Sequence, residues 1–249
     1  MMMMISAEDK EELSRLLKDR VIKTKDFPPL IPELQEHLVK DELRQMIHHP
    51  LLVTFHHEQD NAYHNKLIDV RKKMLGQHVA NENIGSYLVM HERPYRLEAL
   101  IEALHSWWNP ANEKEYWDQV GWVYTDTEFL YHSMDQWKYL LFGGAGYLNN
   151  NLMMDDAEKE KYDSLPEYFT VYRGATDPDG YSWTLDEDKA RWFASRWGKS
   201  LKVFSKKVNK LEDTIAYFSS RNEEEILLDE NHHYVNYEVE ENDDEETKG

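Results

Sequence analysis

The sequence predicts an α+β protein, with a mostly helical N-terminal region followed by short β-strands around one helix. Three observations carry this. Leu97, Leu100, Ile101 and Leu104 recur at i, i+3, i+4 and i+7, the spacing of one helix face. Phe169-Thr170-Val171-Tyr172 and Ile226-Leu227-Leu228 are β-type runs. Between them the composition changes, with Gly143-Gly144-Ala145-Gly146 and Asn149-Asn150-Asn151 forming a turn-rich stretch. The expected organisation is a helical, aromatic-rich region over 1–150, a boundary or long loop at about 143–165, a second domain over 165–240 and an acidic tail at 241–249. The 249 residues are 41% hydrophobic and 12% aromatic, enough for a buried core in one or two domains.

From the start of the chain, Ser6 can cap a helix with Asp9 three places on, placing Leu13, Leu16 and Leu17 on one face. Phe27-Pro28-Pro29 breaks it. A second helix is expected after Pro32, carrying Leu34, Leu38 and Met46 and ending at His49-Pro50. Leu51 to Phe55 has no clear period. Lys66 to Gly76 reads as a helix with Gly76 as its stop, and the clearest helix begins near Pro94. The stretch from Trp107 to Phe142 holds Trp107, Trp108, Tyr116, Trp117, Trp122, Tyr124, Phe129, Tyr131, Trp137 and Tyr139. Aromatics at this density read as core, because each buries so much area. An acidic helix is expected over Asp155 to Lys161.

Three segments of the second region carry chemistry. Phe169 to Tyr172 predicts a strand ending in Arg173, and Gly174 would let a ligand approach the backbone. Next comes Gly180-Tyr181-Ser182-Trp183-Thr184-Leu185-Asp186, a short strand with Ser182 and Thr184 on one side. Asp186 can cap a helix that buries Ala190, Phe193, Ala194 and Trp197 and stops at Gly198. The last is Glu223-Glu224-Glu225 running into Ile226-Leu227-Leu228. On an extended backbone Glu223 and Glu225 face one way. An arginine at a strand end suits phosphate. A carboxylate stabilises the oxocarbenium-like state of glycosidic cleavage, and a second one can take a proton from the nucleophile.

In that order these segments resemble the Arg-Ser-Glu class of mono-ADP-ribosyltransferases, found among bacterial toxins and phage enzymes. The family places an arginine at the end of its first strand, a Ser-Thr-Ser strand before a helix, and a Glu-x-Glu or Gln-x-Glu pair before an apolar strand. The resemblance covers about 165 to 238 and implies an ADP-ribosyltransferase-like split β-sandwich that uses NAD as substrate and needs no metal. Arg173 would hold the NAD phosphates or the nicotinamide ribose, with Tyr172, Gly174, Ser182 and Thr184 beside the dinucleotide. Ser182 would orient Glu225, Glu225 would stabilise the oxocarbenium ion, and Glu223 would position or deprotonate the acceptor. Tyr217 and Phe218 would lie in a substrate-recognition loop. The implied acceptor is a macromolecule, with arginine of a host protein favoured and RNA left open. Two departures stand out. Trp183 replaces the middle threonine, and Thr184 the last serine. Three successive glutamates also leave the catalytic register open between Glu224 and Glu225. The aromatic half resembles N-terminal portions of uncharacterised phage-encoded proteins.

The net charge of -19 sets a rival expectation: an acidic, non-catalytic binding or inhibitor protein, a DNA mimic included. NAD hydrolysis without a macromolecular acceptor is a further one. Arg71-Lys72-Lys73 and Lys206-Lys207 are short, so no DNA binding is expected. Cysteine is absent, which removes disulfides and thiolate chemistry and fits a cytoplasmic protein, the host cytoplasm for a phage-encoded one. No apolar run nears the roughly 18 residues of a membrane span, and no secretory leader is read at Met1 to Glu8. Among the histidines, His57, Asp60 and His64 could share a helix face, but no known metal spacing matches. Gly143 to Gly146 lacks the following lysine of a phosphate loop.

Overall fold

The computed structural model describes residues 27–40, 44–108, 113–127, 130–143, 149–196, 202–229 and 238–240, with Glu11 and Arg15. The expected helix at Ser6 to Leu17, Trp197 with Gly198, and the tail at 241–249 lie outside these residues. The protein is α+β. Its chain divides into two compact units: Met1–Pro110 with Asp126–Glu128, and Ala111–Thr125 with Phe129–Gly249.

The first unit holds helix α1 (Pro32–Glu36), strands β1 (Leu38–Lys40), β2 (Gln45–His49) and β3 (Leu52–Phe55), and helices α2 (Asn61–Ala80), α3 (Ile84–Met90) and α4 (Arg96–Ser106). The strands form an antiparallel sheet in the order β1-β2-β3. Its core gathers Leu34, Ile47 and Ile68, each fully buried, with Leu51, Leu52 and Leu67. The long second helix expected from the sequence is therefore five residues only. Leu38 and Met46 sit in paired strands, where Leu38 opposes Ile47 and Met46 opposes Val39. The i, i+4 pair Leu34 and Leu38 imitates a helix face, whereas Ile47, alternating with half-buried neighbours, is a strand residue driven into the core. Gly76 does not stop α2, which runs four residues beyond it. A side chain there would meet open space, so the glycine costs helix propensity without breaking the packing. α4 forms where its period predicts and buries Leu97 and Leu100 with Ala99 and Ala103, while Ile101 and Leu104 are half-buried.

The second unit begins with α5 (Glu113–Asp126) and α6 (Met134–Lys138), followed by α7 (Asp156–Ser164). Asp155 and Glu158 close a capping box at the start of α7. Then come β4 (Tyr168–Ala175), β5 (Ser182–Thr184), α8 (Glu187–Ser195), β6 (Lys202–Asn209), α9 (Lys210–Asp213), β7 (Thr214–Phe218), β8 (Glu225–Leu228) and β9 (Glu238–Glu240). The six strands form one antiparallel sheet in the order β7-β8-β5-β4-β6-β9. The unit thus starts near residue 111, ahead of the composition change at 143, because the aromatic helix α5 packs with the sheet: the Tyr124 ring lies 5.2 Å from Trp137 and 5.7 Å from Phe218.

Between β5 and β6 the chain crosses β4 through α8. Asp186 caps that helix by accepting from Lys189 N at 3.1 Å. Gly174 of β4 lies directly beneath it, where an added Cβ would overlap the carbonyl oxygen of Ala190 and crowd the Ala194 nitrogen. The glycine is required by helix–strand packing. The close approach that the sequence suggests for a ligand is made by α8.

Candidate active site

Strand order explains how three distant segments meet. β5 lies between β4 and β8, so Arg173, Ser182 and Glu225 come from three adjacent strands. Thr184 pairs with Tyr172 on one side and with Glu225 on the other. These residues line one pocket of about 170 Å³. β4 supplies Tyr172, Arg173 and Gly174, while β5 supplies Ser182, Trp183 and Thr184. Phe193 comes from α8, and Glu223 and Glu225 from the approach to and start of β8.

Arg173 is held against main chain. One terminal nitrogen donates to Ser182 O at 2.6 Å and the other to Asp179 O at 3.0 Å. Its Nε is sealed from solvent and has no hydrogen-bond partner. Burial works against the guanidinium charge and pulls its pKa down, while Asp177, Glu225 and Asp179 oppose that pull. Gly180 makes the pose possible. Its φ of 144° lies where side chains are strained, and a Cβ would meet Arg173 Nη2.

Glu225 is 4% exposed, although it is a carboxylate at the start of a strand. The Tyr124 hydroxyl donates to its Oε1 at 3.1 Å. Burial first, and then the charge of Glu225, push the Tyr124 phenol well above its ordinary pKa. It therefore stays protonated as a donor. The contact to the Glu225 carboxylate that the resemblance expects of Ser182 is made by Tyr124. Tyr124 sits 101 positions from Glu225 and looks, in sequence, like any other residue of the aromatic core. A buried hydroxyl that must find a partner was the available signal.

The glutamate register follows from the backbone. Glu223 has φ -100° and ψ -10°, and Glu224 has φ 44°. Extended chain begins only at Glu225, so the alternation expected of Glu223 and Glu225 does not apply. The turn still brings both to the pocket and sends Glu224 outward, with its carboxylate 3.7 Å from Lys161 Nζ. Thr184 fastens this turn. Its hydroxyl donates to Glu223 O at 2.6 Å and accepts from Asp186 N at 3.0 Å, and Leu185 N donates to Glu224 O at 3.0 Å. Trp183 is buried and donates its indole N–H to Gly180 O at 3.0 Å, so it braces the loop that carries Arg173's partners.

Tyr217 and Phe218 are not in a loop. They close β7, whose five residues are all buried, and Phe218 packs on Tyr124. The run Ile215-Ala216-Tyr217-Phe218 is apolar and buried on both faces, although β7 is an edge strand of the sheet. The loop after β7 is Ser219 to Glu224. Among the described residues no group of three or more His, Asp or Glu gathers as a metal site, and no helix is long and apolar enough to cross a membrane. No protein-family model, curated protein or solved structure matches the chain.

Proposed function

We propose that the protein is an NAD-dependent mono-ADP-ribosyltransferase that acts on a macromolecular acceptor. The observation that supports this most is the convergence of Arg173, Ser182 and Glu225 from three neighbouring strands on one pocket, with Tyr124 bonded to the carboxylate. The order of elements also suits the reading: an arginine strand, a serine strand leading into a capped helix, and a glutamate opening an apolar strand.

In this reading, cleavage of the nicotinamide–ribose bond leaves positive charge on the ribose. Glu225 stabilises that charge from a site largely closed to water, where a fixed carboxylate acts more strongly than in bulk solvent. Arg173, which lines the pocket, supplies the cation for phosphate or ribose oxygens. Glu223, on the pocket rim, takes the proton from the acceptor. The Thr184 hydroxyl is already committed to the turn, so its contribution is to hold Glu223 in place.

Incubating the full chain with biotinylated NAD and cell lysate tests the proposal. The expected result is a labelled macromolecule with the wild type and none with Glu225→Ala. Equal labelling by both, or none by either, would overturn it. Free ADP-ribose and nicotinamide released with no macromolecule labelled even in the presence of lysate would favour the hydrolase instead. Partner capture that needs residues 241–249 but not Glu225 would favour the acidic binding protein.

A further inference from the structure

We propose that the outer face of α8, with the adjoining end of β6 and β4, docks single-stranded RNA and presents it to the pocket as the acceptor. The acceptor role rests on the transferase reading; the docking surface does not. The observation behind it is a local reversal of charge. The chain carries 48 acidic and 29 basic residues, yet between Lys189 and Lys210 there are eight basic residues and no acid. The pair Lys206-Lys207, unremarkable alone, belongs to this longer island.

The fold turns part of the island outward. α8 packs on β4 and β6 through Ala190 and Ala194, leaving Trp192 and Arg196 exposed and Lys189 half-buried. Trp192 is 50% exposed, with Lys189 Nζ 5.6 Å and Arg196 Cζ 4.9 Å from its ring centre. The motif repeats on the sheet. Lys207 Nζ lies 5.5 Å from the ring of Tyr168, itself 53% exposed. Register places Val203 opposite Gly174 and Lys207 opposite Thr170, so Lys207 shares the side of the sheet that α8 covers. Of the acids just before the island, Glu187 accepts from Arg191 at 3.0 Å, Asp186 caps the helix and Asp188 is exposed. β9 pairs along the far edge of β6.

Cations beside exposed ring faces suit a chain of phosphates with unstacked bases. An acidic protein offers charge but no bases to stack, and a duplex hides its ring faces. RNA is the nucleic acid that is ordinarily single-stranded. Screening over roughly 8 Å at physiological salt keeps the remote acids of the chain from cancelling this face. The face also reaches the site: the Trp192 and Phe193 rings are 5.0 Å apart, and Phe193 lines the pocket with Glu223. In the transfer, an acceptor hydroxyl oxygen bonds to ribose C1′ as the C1′–nicotinamide bond breaks. Nicotinamide leaves with the bonding pair, and the hydroxyl proton passes to Glu223.

The test is fluorescence anisotropy of the full chain with a labelled twelve-nucleotide oligouridylate, across a salt series. Binding should weaken with salt at a log–log slope of about -2 for three engaged cations. Trp192→Ala should weaken it about tenfold, in line with loss of one stacked base. Lys189→Glu combined with Arg196→Glu should weaken it further. All variants should keep wild-type circular dichroism and acceptor-free NAD cleavage. No binding at low salt, binding that these variants do not change, or tighter binding of DNA duplex or polyglutamate overturns the surface. NAD-dependent labelling of lysate protein without oligouridylate binding overturns this inference and leaves the transferase reading standing. Variant-sensitive RNA binding with no NAD cleavage keeps the surface and removes the transferase reading together with the acceptor role.

Discussion

Both compact units bury polar side chains, but they use them differently. In the first unit, His49 is 6% exposed, its Nδ1 accepts from Leu51 N at 3.0 Å, and its Nε2 faces Glu33 at 3.2 Å. His91 bonds the Tyr87 carbonyl at 2.9 Å, and Asn61 joins His56 to Pro28. These groups satisfy local backbone and neighbours. In the second unit, Arg173, Ser182 and Glu225 line one pocket, and Tyr124 bonds the Glu225 carboxylate. Buried polarity alone does not mark function. Buried polarity of opposite sign that converges on an opening does.

That contrast can be broken in several places. The largest expected effect is Glu225→Gln, which should lower NAD cleavage by about two to three orders of magnitude while the thermal midpoint holds; assay and melting on one preparation check it. Ile47→Ala should cost about 2–5 kcal/mol in urea unfolding, as for a fully buried aliphatic. The activity per folded molecule should stay at the wild-type value. Tyr124→Phe keeps the ring packing and removes the hydroxyl. It should lower kcat roughly tenfold with little change in the KM for NAD, and a change confined to KM would show that the phenol does not position Glu225. Glu224→Gly should leave activity within about twofold, because it relieves a left-handed backbone and loses only an exposed ion pair. A loss as deep as that of Glu225→Gln would move the catalytic register by one.

The smallest effect is a pH dependence in the first unit. Burial lowers the pKa values of His49 and His91 against their ordinary 6.5. Protons therefore favour the unfolded chain. The stability these histidines allow is complete above about 6.5 and falls as the pH drops from there through their lowered values. Replacing both with glutamine should flatten the low-pH side of a melting-temperature profile.

The sequence made some of this legible because local chemistry decided it. The capped helix after Asp186, the helix face from Leu97 and the apolar strand after Glu225 all carry their own signals. Other features are set by tertiary contact. Leu38 and Met46 look helical until β1 pairs with β2, and Tyr217 and Phe218 look loop-borne until β8 pairs with them. Gly174 reads as room for a ligand but is room for α8. Tyr124 carries no local sign of its role, because its partner arrives from another segment of the chain. The glutamate register turned on one left-handed residue, Glu224, which no alternation rule anticipates.

The central claim is that Arg173 and Glu225 face one dinucleotide. A crystal of the full chain grown or soaked with NAD tests it most directly. The account predicts the nicotinamide ribose within hydrogen-bond distance of Glu225, with Arg173 on the adjoining phosphate or ribose oxygens. NAD bound elsewhere, or a fully occupied pocket in which neither residue touches the dinucleotide, would contradict it.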